Sequence, residues 1–155
     1  AWAVVSGYVT GSLIRGLVIG GLVFTSAFVF EVIPVAHPIY AIFIASITAI
    51  VFSLAGLINA IYAKGFDGIN IVPTFVIMPL TYLGGVFYSL SLLPTVWQTI
   101  SHFNPVLYMV NAFRYSILGF SDIAFSTSIL VLLGCVLFLF GWVLYLFKTG
   151  RGLKT

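Results

Sequence analysis

Charge is what this chain has least of. Nine of its 155 residues carry it: Arg15, Glu31, Lys64, Asp67, Arg114, Asp122, Lys148, Arg151 and Lys154. A water-soluble domain of this length needs several times that number to cover its surface, so a soluble fold is excluded. The three acidic residues avoid the interior of every long apolar run, which disfavours an ion-coupled carrier or an intramembrane aspartyl protease. A single cysteine, Cys135, excludes an internal disulfide and reads as packing in an apolar helix. His37 and His102 are far apart, without acidic or thiol companions at metal-ligand spacing, so no metal site is expected and each reads as a surface histidine. There is no Gly-x-Ser-x-Gly elbow. The terminal GRGLKT has Leu153 where a phosphate-binding loop requires glycine, and no strand precedes it. No catalytic residue and no cofactor are expected, and ATP binding is left to another polypeptide. Half of the cations sit at Lys148, Arg151 and Lys154, so the basic excess is no footprint for nucleic acid.

What remains is apolar. The residues are 62% hydrophobic, with a mean hydropathy of +1.25, which makes the chain an all-α polytopic membrane protein. Crossing a hydrocarbon core takes about 20 apolar residues. Four segments qualify: about 12–33, extended back to Trp2, then 39–62, 70–88 and 125–147. Residue 1 is Ala and opens directly into an apolar run, without the features of a signal peptide. The chain therefore reads as a piece of a longer protein that lacks an N-terminal part. The cationic tail, Lys148 to Lys154, places the C-terminus in the cytoplasm. Counting back, the loop at Lys64–Asp67 is cytoplasmic, whereas residues 31–38 and 89–123 face outside.

The first span carries small residues at helical spacing: Gly7, Gly11 and Arg15 form one i,i+4 row, and Ser12, Gly16 and Gly20 the next. Such rows let helix backbones approach closely, so this face is expected against another helix, in the same subunit or a partner; the alternative is that these are the glycines common to membrane helices at large. Arg15 allows two readings. Twenty residues back from Glu31 puts the inner boundary near Ser12, where Arg15 snorkels to the headgroups; otherwise it belongs to a polar path or a subunit contact.

The third candidate span is broken. Pro79 cannot donate to Phe75, which predicts a kink, and Gly84-Gly85 gives a second soft point. Tyr82 and Tyr88 suit the outer interface. The span is read either as a hinge or gate, or as a kinked helix with an aromatic belt. The following stretch, 89–123, is too polar to cross a bilayer and too aromatic for an ordinary aqueous loop. It predicts two short helices: one with Pro94 in its first turn, ending near Phe103, and one opened by Asn104-Pro105 and stopped at Gly119. In the second, Tyr108, Asn111, Arg114 and Tyr115 recur at threes and fours. They are expected to line or lid a vestibule, with Leu107, Val110, Ile117 and Leu118 on the opposite side. The alternative is an interfacial helix whose Arg114 pairs with lipid phosphate.

These residues carry a resemblance. Asn70, Pro73-Thr74-Phe75, Pro79, Tyr82-Leu83-Gly84-Gly85-Val86-Phe87-Tyr88, Leu93-Pro94, Asn104-Pro105, Tyr108 and Arg114, with Leu13–Leu17 earlier, occur in an order that resembles the type-2 ATP-binding-cassette exporter permeases. The closest likeness is to the bacterial branch exporting polysaccharides, lipid-linked sugars or drugs. The resemblance covers essentially the whole chain. It implies the C-terminal part of a six-helix transmembrane domain in the bacterial inner membrane, four membrane helices plus two short outer re-entrant or interfacial helices. It also implies a cytoplasmic ATPase subunit and a second permease subunit as partners, beside membrane lipid. Phe87, Tyr88 and the Asn104–Arg114 region are then expected near an outer gate. A non-transporting membrane anchor and an ion-coupled carrier remain the alternatives.

Overall fold

The computed structural model describes residues 2–30, 33–63 and 65–150, and all secondary structure among them is helical. Three helices are long and apolar enough to cross a membrane: α1 (Trp2–Phe30), α2 (Pro38–Tyr62) and α7 (Phe125–Thr149). Between α2 and α7 the chain forms α3 (Phe66–Val72), a π segment (Pro73–Ile77), α4 (Met78–Leu83), a 3-10 turn (Leu90–Leu92), α5 (Thr95–Ser101) and α6 (Pro105–Leu118). Arg151 and Lys154, which help to orient the tail, lie outside the described residues.

The centre of the bundle is α2. Its Ile44, Ile47 and Val51 pack with Met109 and Ala112 of α6 and Leu132 of α7. One to two turns further on, Leu54 and Leu57 pack with Val5 of α1 and Val143 of α7. So α6 is not laid on an outer surface. Its Ala112 and Leu107 are fully buried, and an interfacial helix would leave one whole flank facing headgroups. The C-terminal end of α6 is fixed by the α1–α2 loop, where Ala36 and His37 donate backbone N–H bonds to Ile117 and Ser116 at 3.0 and 2.8 Å.

The expected third span is shorter than 70–88. The apolar helix runs Asp67–Leu83, below spanning length, and stops beside the start of α6. Eleven residues of α6 separate Val106, at that contact, from Ile117 at the α1–α2 loop, roughly 16 Å at the helical rise. The helix thus ends well inside the bundle. Two glycines stop it: Gly84 caps α4, and Gly85 takes φ +74°, a conformation that L side chains rarely adopt.

The disruption expected at Pro79 appears just before it. Met78 N–H bonds to Pro73 O, five residues back, so the turn widens into a π segment where Pro79 offers no N–H. A kink at a single residue is replaced by a five-residue bulge.

Of the small-residue rows on α1, one position touches a neighbour in this chain. A Cβ at Gly16 would lie 3.1 Å from the Ala49 Cβ, whereas Gly7, Gly11 and Gly20 face space with nothing within 4 Å. Replacing Gly16 by Val is therefore expected to push α1 off α2 and lower stability by about 1–3 kcal/mol. The same change at Gly7 or Gly11 leaves the α1–α2 contact intact. Unfolding midpoints of the detergent-purified full-length protein, compared among the three variants, check this ranking.

Candidate functional site: a buried junction of helix ends

A helix leaves its last carbonyls without intrahelical partners, and inside a membrane no bulk water supplies them. The carbonyls at the end of α4 are met by side chains from the following segment. Asn104 Nδ2 donates to Leu80 O at 2.6 Å. The Tyr88 hydroxyl donates to Tyr82 O. Arg114 Nη2 reaches Gly85 O at 2.9 Å.

Asn104 serves a second helix as well. Its Oδ1 accepts from Val106 N–H at 2.9 Å, capping the start of α6, with Pro105 at the first helical position where its missing N–H costs nothing. One side chain, 3% exposed, thus satisfies the end of one helix and the beginning of another. The junction is tight. A Cβ at Gly84 would lie 2.8 Å from Val106 Cγ1 and 3.1 Å from Leu80 O. Gly84-Gly85 is therefore a packed helix stop, not the soft mid-helix point expected from sequence.

Arg114 anchors the upper side of the junction. Besides Gly85 O it holds Asp122 Oδ2 through Nη1 at 2.9 Å, and Asp122 N–H donates to Asn111 Oδ1 at 3.0 Å. Asn111 Nδ2 donates to Leu107 O at 2.9 Å. The ion pair is partly shielded, with side chains 18% and 32% exposed, so solvent screens it only in part. Arg114 therefore binds protein groups, where the interfacial reading had it on lipid phosphate.

The polar stripe of α6 is accordingly spent on its neighbours. Asn111 and Leu107, expected on opposite sides, are both buried, and Leu118 is exposed. Tyr108 donates to His102 O at 2.8 Å, tying α6 to the turn after α5. Tyr115 stacks between His37 and Phe125, at 5.3 and 4.9 Å, and Tyr40 joins both of those rings. The first short helix is also shorter than expected, Thr95–Ser101, with Pro94 as its cap instead of inside its first turn.

The structure brings Gly84, Gly85, Tyr88, Asn104, Pro105, Asn111 and Arg114 to one junction. It leaves Pro79, Tyr82 and Phe87 exposed on the outward side, with the Tyr82 and Phe87 rings 5.7 Å apart. Sequence reasoning missed Asp122, Val106 and the rings around His37. Asp122 carried a signal: it is the nearest opposite charge to Arg114 in a chain almost without charge, just past the stop at Gly119. His37, read as a surface residue, is a half-buried member of the aromatic cluster.

An apolar cavity of about 370 Å³ opens between α1, α2 and α6, lined among others by Gly20, Phe24, Ala41, Ala45 and Phe113. No group of His, Cys, Asp or Glu able to hold a metal occurs among the described residues.

Comparison with known proteins adds the lineage. Residues 1–118 match the family described as ABC-2 type transporter. The chain is 46% identical over 152 residues to the inner membrane transport permease YadH of Escherichia coli K12, covering 98% of this chain and 59% of that protein. It is 28% identical over 81 residues to nodulation protein J of Rhizobium leguminosarum bv. viciae, covering 52% of this chain and 31% of that one. The chain thus spans less than two thirds of the length of the curated relatives it matches. No solved structure matches it.

The junction makes two measurable statements. Asn104→Ala removes a cap and strands a buried carbonyl, with an expected loss of about 2–4 kcal/mol in unfolding free energy. Gly84→Ala is expected to cost about 1–3 kcal/mol by overpacking, and Val106→Ala in the same protein restores most of that loss. Thermal unfolding of the single and double variants decides; an unrescued double variant removes the contact as the cause.

Proposed function

Because the chain belongs to the ABC-2 type transporter family, we propose that it supplies part of the membrane path of an ATP-driven exporter in a bacterial inner membrane. ATP hydrolysis then belongs to a separate cytoplasmic subunit, in keeping with a sequence that has no phosphate-binding loop. A second permease subunit completes the path. The unpartnered outer faces support this: α1 is largely exposed along its length, and the broken helix turns Phe75, Met78 and Tyr82 outward. Apolar surface of that extent asks for lipid, further helices or a second subunit.

One observation carries the mechanism: a helix that ends inside the bundle, held by Asn104 and Arg114 of a re-entrant segment. A helix end stopped there needs such bonds, and they clamp its last turn to α6, so movement of the broken helix has to be taken up nearer its start. In our reading α5 and α6 form the outer plug, α6 being the rigid half packed on α2 and α7. The π segment, Pro73–Ile77, is the compliant joint through which the inner end of the broken helix moves relative to the outer end. Wide turns of this kind are frequent at functional sites. The hinge is thereby assigned to Pro73–Ile77 and not to Gly84-Gly85, whose packing against Val106 leaves no freedom.

The cargo class on this reading is an amphiphile or a lipid-linked glycan. The cavity between α1, α2 and α6 is lined by apolar and aromatic side chains, which suit an acyl or prenyl chain, and tyrosines serve sugars as well as lipid headgroups. Among the described residues no carboxylate lies within the long helices, which weighs against an ion-coupled carrier.

Two outcomes test the proposal. In full-length protein reconstituted with its ATPase, Pro79→Ala lets the π segment relax to α-helix. Expression at or above wild type is expected, with export at least about tenfold slower, equivalent to about 1.4 kcal/mol in the barrier. Unchanged export sinks the joint. Arg114→Ala is expected to reduce export more than it reduces the amount of folded protein; equal losses assign Arg114 to folding alone. Copurification of an ATPase without ATP-dependent cargo movement in vesicles favours a membrane anchor.

A further inference from the structure

Arg15 does not sit where charge counting puts it. It lies near the middle of α1, thirteen residues from Trp2 and fifteen from Phe30. Its neighbour Gly16 rests against Ala49, with 3.1 Å between a built Cβ and the Ala49 Cβ. Ala49 is in turn eleven residues from Pro38 and thirteen from Tyr62. At the helical rise both ends of α2 are roughly 17–20 Å away, several times the span of about one turn that an arginine side chain covers. The snorkelling reading therefore fails, and it fails whichever end of the bundle faces the cytoplasm.

The side chain is exposed, and among the described residues it takes part in no hydrogen bond or ion pair. Gly7 and Gly11 continue its row, and a Cβ at either meets nothing within 4 Å. The described carboxylates stand elsewhere: Asp67 in the first turn of α3, Asp122 on Arg114. A second copy of this chain packed on the same face would bring another Arg15, not a counterion. A guanidinium at the depth of mid-helix does not stay unpaired, because the cost of an uncompensated charge in hydrocarbon is too high.

Resting on the export reading above, we propose that Arg15 is a binding site for an anionic head group carried by an amphiphilic cargo. The guanidinium fork suits a phosphate or a carboxylate, either of which it holds by paired N–H bonds. The glycines at Gly7 and Gly11 leave the helix surface beside it bare, giving an acyl or prenyl chain a place to lie. This assigns a charge class to the cargo and a contact residue about halfway through the membrane, one bundle layer away from the junction at Asn104.

The test uses the full-length permease with its ATPase subunit in phosphatidylcholine vesicles. ATP hydrolysis is followed as dodecyl phosphate, dodecanoate or dodecanol is added, for wild type, Arg15→Gln and Arg15→Lys, alongside subunit copurification and unfolding temperature. The wild type is expected to half-saturate with at least one anionic amphiphile at a concentration about tenfold or more below that of dodecanol. Whether phosphate or carboxylate is preferred separates the two head groups. Arg15→Gln is expected to lose that preference while copurifying and unfolding as the wild type does, and Arg15→Lys to keep part of it. A glutamine variant that retains the preference overturns the site. So does one that fails to assemble and is rescued by lysine, since Arg15 is then the counterion of another helix. Wild-type protein that moves cargo with ATP but ignores charge overturns the site and leaves the export reading intact. A wild type without ATP-dependent movement of any cargo removes the export reading, and this proposal falls with it.

Discussion

A helix that stops inside an apolar bundle has to find partners for its carbonyls, and the middle of this chain is organised around that requirement. In water the end of α4 would be solvated at little cost. Packed against α6 it is not, and stranding one such group costs a few kcal/mol. Asn104, Tyr88 and Arg114 meet the need. Once they do, much else follows. Asn104 has to lie at the turn between α5 and α6, so α6 begins beside the end of α4 and runs from there to the α1–α2 loop. Arg114 has to lean toward Gly85, so its charge needs a partner above it, and Asp122 is held there by Asn111.

The elements that rest on local rules were legible in the sequence. Asn104-Pro105 at the start of α6 and Gly119 at its end are cap signals that work through neighbours in the chain, and both are realised, Gly119 at φ +80°. The long apolar runs of α1, α2 and α7 needed nothing beyond length and hydropathy. What escaped was decided between segments. Periodicity placed Tyr108, Asn111, Arg114 and Tyr115 on one face of α6, but it could not say that the face meets protein. A face made of amides, hydroxyls and a guanidinium looks the same whether it lines water or satisfies a buried helix end. Likewise the pair Gly84-Gly85 reads as flexible in isolation, and only the position of Val106 turns it into a tightly packed stop.

The two arginines show how differently one residue type is used at two depths. Arg114 is enclosed by acceptors from its own chain and belongs to a completed network. Arg15 is surrounded by glycine surface and apolar side chains, with its charge uncompensated among the described residues. Counting residues back from Glu31 had set it at the membrane edge, on the assumption that a span begins about 20 residues from its outer charge. The α1 helix is longer than that rule allows, at 29 residues, and its register against α2 is set by the Gly16–Ala49 contact instead. That contact sets Arg15 beside the middle of α2.

The same reasoning bears on where the chain can bend. Motion in a bundle needs a segment whose hydrogen bonds have alternatives and whose side chains are not interlocked. Gly84-Gly85 fails the second condition, because any swing there drives the backbone into Val106. The α5–α6 turn fails the first, because Asn104 is committed at both of its polar ends. The π segment meets both. Its N–H groups bond five residues back while the carbonyls four residues back lie next to those acceptors, and the residues along it are mostly exposed, Phe75 and Val76 among them. If the broken helix moves, its inner part swings at Pro73–Ile77 while its last turn stays clamped to α6. Displacement is then transmitted to the outer helices as a pull on Asn104 and Arg114, with no apolar contact in the α2–α6–α7 core broken.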